Sequence, residues 1–111
     1  MAEVKTTPVK ALYRGNLIFG EADARMIGAS WPAGGFAIEE PDVAGSEQRL
    51  WWSCPCGCGH VTFLHVGRGF KPADSPSWEW NGSLDAPTLT PSVHRVGHWH
   101  GWLRNGIWES C

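Results

Sequence analysis

Apolar and polar positions in this chain fall into short stretches, with Gly or Pro recurring between them. Short apolar runs rich in β-branched and aromatic residues and bounded by turn residues predict β-strands. Residues 1–20 suggest a short strand or two around "ALYRG" and "NLIFG", each ended by Gly, and "GFAIEE" (35–40) is another candidate. "QRLWWS" (48–53), "HVTFLHV" (60–66) and "WEWNG" (78–82) follow, rich in β-branched and aromatic residues. "EADARMIGAS" (21–30) is the only helical pattern, two turns long and stopped by Gly28 and the "WPAGG" behind it. "PDVAGSEQ" (41–48) and "GRGFKPADSPS" (67–77) read as loops. "APTLTPSVHRV" (86–96) is extended, because Pro87 and Pro91 exclude a regular helix and favour a sheet edge.

The last segment, "GHWHGWLRNGIWESC", carries the strongest local signal. Asn105-Gly106 is the favoured dipeptide of a two-residue type I′ hairpin, whose central positions both need positive φ. That turn sets a register in which Arg104 faces Ile107, Leu103 faces Trp108, Trp102 faces Glu109, Gly101 faces Ser110 and His100 faces Cys111. The pattern as a whole predicts a mainly β, small single-domain antiparallel fold over 1–111, with a cysteine turn, a C-terminal hairpin and at most one short helix. Residues 46–111 form its core, and 1–45 its less defined N-terminal part.

Composition narrows the function classes. Net charge is −2 with Lys and Arg scattered, so no nucleic-acid partner is expected. No signal core follows "MAEVKTTPVK", and no apolar run approaches the roughly 20 residues of a membrane span, so a cytoplasmic protein without membrane association is expected. Eight Trp in so short a chain supply large apolar area, and most are expected in the core. Trp78 with Trp80, or Trp99 with Trp102, are the alternatives for lining a binding face.

Candidate chemistry is concentrated in "WWSCPCGCGH" (51–60). Cys54, Cys56 and Cys58 sit too close together to close useful disulfide loops with one another. Two-residue spacing puts all three on one side of the chain, and Pro55, Gly57 and Gly59 let the backbone curl so that their thiols converge. Thiolates with an imidazole suit Zn2+. Among His60, His65, His94, His98 and His100, the terminal hairpin gives His100 a defined direction, making it the favoured fourth ligand. Cys111 and His98 remain alternatives. Three cysteines and one histidine would close the shell, the signature of a structural ion.

"CPCGCG", then "WEWNGSLDAPTLTPSV", then "HGWLRNG" resemble the DUF6527 family of small phage and bacterial proteins, over roughly residues 50–111. The resemblance implies metal binding by Cys54, Cys56, Cys58 and His100, a phage-type setting, and for some relatives an association with ubiquitin-like modification systems. Many relatives have Cys directly before that His, where this chain has Trp99. Trp78, Trp80, Asn81, Pro87, Thr88, Pro91 and Ser92 match the middle motif, where an architectural role is the simplest account. Two functions follow. One is an accessory protein built round structural zinc that binds a protein partner, host-directed or counter-defence, with no catalytic residues. The alternative is a zinc-dependent hydrolase linked to ubiquitin-like modification, needing an open metal position and a base such as Asp85 or Glu79.

Overall fold

The computed structural model describes residues 5–17, 31–41 and 43–111. Ten strands run in chain order: β1 (Val9–Lys10), β2 (Tyr13–Leu17), β3 (Phe36–Glu39), β4 (Gln48–Ser53), β5 (Val61–Arg68), β6 (Trp78–Trp80), β7 (Leu89–Thr90), β8 (Val93–Arg95), β9 (Trp99–Arg104) and β10 (Ile107–Ser110). They form a four-stranded sheet ordered β1-β10-β9-β8 and a six-stranded sheet ordered β2-β3-β4-β5-β6-β7. The fold is mainly β, and no helix occurs among the described residues. The predicted helix at 21–30 lies outside them. Among the described residues no helix is long and apolar enough to cross a membrane.

The expected mainly β, largely antiparallel fold is what the structure shows, with one refinement. The six-stranded sheet is mixed, with β2–β3 and β5–β6 parallel. Parallel neighbours require a crossover connection; of the stretch 67–77 read as loop, Gly67 and Arg68 end β5 and 69–77 carry the chain back to β6. Of the 11–20 stretch, Tyr13–Leu17 forms β2, with Gly15 inside it at φ 113°.

Both sheets present alternate residues inward. Phe36, Ile38, Leu50, Trp52, Leu64 and Val66 from the larger sheet meet Val93, Trp99, Leu103 and Trp108 from the smaller one. Trp52 and Trp108 stack with ring centroids 5.0 Å apart, and Trp99 meets Trp108 edge-on at 5.7 Å. A second cluster of Trp31, Ala37, Trp51 and Val61 covers the other face of the larger sheet. Six of the eight Trp are buried; Trp78 and Trp102 are half-buried.

The terminal hairpin has the register its turn demands. Arg104, Leu103, Trp102 and Gly101 pair with Ile107, Trp108, Glu109 and Ser110, and Cys111 N–H donates to His100 O at 3.0 Å. Asn105 at φ 47° and Gly106 at φ 76° provide the left-handed pair. Glycine at 101 is required by space: an added Cβ would fall on the Glu109 carbonyl oxygen and the Trp99 ring. Gly101→Ala is therefore expected to destabilise the fold by about 3 kcal/mol, read as a lower midpoint in urea; an unchanged midpoint would mean that the hairpin yields more easily than its contacts imply.

Candidate functional site

Two groups of reactive side chains lie on neighbouring elements. The first is the cysteine turn between β4 and β5. β4 and β5 pair antiparallel from Gln48↔Val66 to Ser53↔Val61, and Cys54 N–H extends the ladder to His60 O at 3.0 Å. The chain then has to reverse within five residues. Gly57 and Gly59 do so at φ 85° and 81°, a region that a side chain would resist, and Gly57 N–H closes the turn on Cys54 O at 3.1 Å.

The curl brings the Cys54, Cys56 and Cys58 sulfurs within 4.8 Å of one another, and the Cys54 thiol donates to Cys56 Sγ at 3.1 Å. Three thiolates on one tetrahedral zinc, with Zn–S of 2.3 Å, stand about 3.8 Å apart, so the turn fits a single ion with small side-chain adjustments. These three cysteines could hold a metal ion. Cys54 is fully buried, Cys56 half-buried and Cys58 exposed.

Protonation follows that gradient. Burial above all pushes the Cys54 thiol up to about 12. For Cys58 burial also opposes ionisation, but the His60 backbone N–H, the Cys56 thiol, the Arg95 guanidinium and the Cys54 thiol together outweigh it and lower the pKa. A metal must displace the Cys54 proton, so affinity is expected to fall on acidification, by up to about tenfold per pH unit for each proton displaced. Metal release followed with a colorimetric chelator between pH 8 and 5 checks the sign; release independent of pH would exclude thiolate ligation.

The second group lies where the chain changes sheets. β7 is the edge of the six-stranded sheet and β8 the edge of the four-stranded one, so residues 91 and 92 carry the chain across. The Pro-bounded extended stretch does take edge positions, one in each sheet. Ser92 stands at the crossing. Trp78 Nε1–H from the larger sheet donates to Ser92 O at 3.1 Å. His100 Nε2 lies 3.2 Å from Ser92 Oγ. β8 and β9 pair with His94 opposite His100, and the two imidazoles lie 4.4 Å apart at 31°. Along β9 the inward residues are Trp99, Gly101 and Leu103, so His100, Trp102 and Arg104 share the outer face, with the Arg104 guanidinium 4.1 Å over the Trp102 ring; His98 precedes the strand and does not share that face.

The predicted ligands thus divide between the two groups. Cys54, Cys56 and Cys58 come together, whereas His100 is not among the residues converging with them and engages Ser92. The groups are linked: Arg95, next to His94 on β8, donates from Nη1 to Cys58 Sγ at 3.6 Å. His98 sits in the β8–β9 turn, its N–H donating to Arg95 O. Glu79 is exposed on β6 and Asp85 is exposed in the turn before β7.

The sequence gives Ser92 an architectural reading and does not show that its hydroxyl faces His100. A serine accepting or donating to backbone groups and a serine facing an imidazole look alike in one dimension. The available signal was the pairing of "PSVH" on an edge strand with the hairpin His, visible only once β8 is placed beside β9.

A serine hydroxyl within reach of an imidazole, with that imidazole restrained by a second ring, is a constellation for nucleophilic catalysis. No curated protein and no solved structure matches the chain. The DUF6527 assignment drawn from the motifs is overturned, because a different family model matches. Those motifs consist largely of turn, edge and metal-turn signals, which report architecture more directly than lineage. The phage setting and the purely accessory role drawn with them lose their support, and the hydrolase alternative linked to ubiquitin-like modification gains it. Residues 25–111 match the model of BubE, described as a bacterial ubiquitination-like system serine protease, and the chain belongs to that family.

Proposed function

We propose that this protein is a serine peptidase acting on a protein substrate of a bacterial ubiquitin-like modification system, with Ser92 as nucleophile and His100 as general base. The observation that carries this is the 3.2 Å separation of Ser92 Oγ and His100 Nε2, at the upper end of the range for a nucleophile and its base. The family description supports the reaction class.

With its own proton on Nδ1, His100 accepts the Ser92 hydroxyl proton at Nε2 while Oγ attacks the substrate carbonyl carbon. The tetrahedral adduct collapses by breaking the C–N bond, and the leaving amine takes the proton from Nε2. Water then attacks the acyl ester by the same route, returning the proton to Ser92 Oγ. His94 is a positioning residue: its ring against His100 restricts imidazole rotation, and the Trp78 indole holds the Ser92 backbone.

In the same reading the cysteine turn is structural. Cys54, Cys56 and Cys58 would hold one zinc ion, with the fourth position of a closed shell to be filled by a ligand from outside the turn, and the bound ion would supply a cross-link at the tip of β4 and β5. Arg95 carries that rigidity to β8 through its contact with Cys58. Zinc bound by thiolates needs a reducing compartment, and with the bacterial setting of the family this supports the cytoplasm.

The test is covalent labelling. A fluorophosphonate probe is expected to add to Ser92, located by mass spectrometry of the digested protein, and labelling is expected to fall at least about a hundredfold in His100→Ala. Labelling at another serine, or equal labelling without His100, would refute the assignment.

A further inference from the structure

We infer that an extended segment of the protein substrate docks by strand addition along the open edge of β5 at residues 61–65, beside Ser92. The inference rests on the peptidase reading and adds how the substrate is held.

β5 is eight residues long, but β6 pairs only with Val66, Gly67 and Arg68. Among the described residues no strand pairs with 61–65 on that side. The phase of the ladder says which groups face the open edge. Ser53 exchanges hydrogen bonds with Gly34 and Gly35 on the β3 side, and Cys54 N–H bonds to His60 O on the β5 side. Backbone direction alternates along an antiparallel pair. Thr62 and Leu64 therefore turn their N–H and C=O groups to β4, while Val61, Phe63 and His65 turn theirs to the open edge.

A cavity of about 250 Å³ lies along this edge, lined among others by Thr62, Phe63, Leu64, Trp78, His94 and Arg95. Ser92 and His100 do not line it, but two of its lining residues, Trp78 and His94, touch them. Trp78 holds the Ser92 carbonyl and the His94 ring stacks on His100. β8, which carries His94 and Arg95, is itself a sheet edge, so the cavity opens between two edges.

Edge strands invite pairing, and folded proteins usually block them. An edge left unpaired among the described residues, with Trp78 and His94 leading from it to Ser92 and His100, has a specific use. Donors and acceptors spaced at alternate residues are matched by another extended backbone, not by a compact small molecule. Residues 61–65 span roughly 13 Å, at about 3.3 Å per residue, which accommodates four or five substrate residues. Every second substrate side chain would enter the cavity and meet Leu64 and the Trp78 ring, favouring apolar groups there.

The experiment uses the full chain and a random decapeptide pool. Cleavage of the pool, with sequencing of the products, identifies a preferred sequence, which is remade with single backbone N-methyl groups. Strand addition predicts that N-methylation at every second residue on one side of the scissile bond lowers kcat/KM by about tenfold or more, and far less at intervening residues. In Ser92→Ala protein, the uncut peptide is expected to slow amide hydrogen exchange at Val61, Phe63 and His65 but not at Thr62 and Leu64. Cleavage with neither alternation nor selective protection overturns strand addition and leaves the peptidase reading standing. A pool that is not cut at all overturns both.

Discussion

Ser92→Ala is expected to abolish peptide hydrolysis, lowering kcat by about 10⁴-fold or more, the usual consequence of deleting a serine nucleophile. The melting temperature should move by no more than about 2 °C, because the half-buried Ser92 makes its hydroxyl contact to His100 while its carbonyl stays on Trp78. Ser77 is the instructive comparison. Its buried hydroxyl donates to Pro72 O at 2.7 Å and accepts from Lys71 Nζ at 3.0 Å, so Ser77→Ala should cost stability and leave turnover per folded molecule alone. Steady-state hydrolysis and thermal unfolding, measured side by side on both variants, separate the two roles. Retention of full activity by Ser92→Ala would remove the assigned nucleophile.

Cys56→Ser is expected to have the largest effect on stability. Cys56 is half-buried, so the serine hydroxyl itself is tolerated, but one of three converging thiolates is gone. Metal content should fall well below one ion per chain, and stability by about 3 kcal/mol or more, a loss of the size that follows removal of a structural metal. Wild-type protein treated with a chelator should melt at nearly the same temperature as the variant, and the variant should gain nothing further from chelation. Metal analysis, calorimetry and X-ray absorption of the coordination shell check these points together. Full metal occupancy with an unchanged melting temperature in Cys56→Ser would contradict the proposed ligation.

Strand positions were legible where local chemistry alone decides them. "QRLWWS" is β4 residue for residue, and Asn105-Gly106 determined every pairing of the β9–β10 hairpin, because two positive-φ positions leave one register. The convergence of three thiols was equally local, following from alternate spacing and Gly57 with Gly59. The rest depends on contacts remote in sequence. Nothing in "GRGFKPADSPSWEW" marks a parallel return to β5, since parallel pairing is decided by which edge is free when the chain comes back. Ser92, in the link just before β8, and His100 on β9 lie eight residues apart and meet only through a β8–β9 register set elsewhere. The direction that the hairpin gives His100 does not by itself say what its imidazole reaches; in the structure Nε2 lies 3.2 Å from Ser92 Oγ.

The joint between the sheets has one more consequence. Ser92 belongs to neither sheet: its oxygen is aligned with His100 of the four-stranded sheet, and its carbonyl is gripped by Trp78 of the other. A reactive atom suspended between two slabs registers their sliding, and a displacement of about 1 Å can cost about a hundredfold in rate. Turnover should thus act as a strain gauge for the Trp52–Trp108 seam, fading under substitutions there well before the protein unfolds.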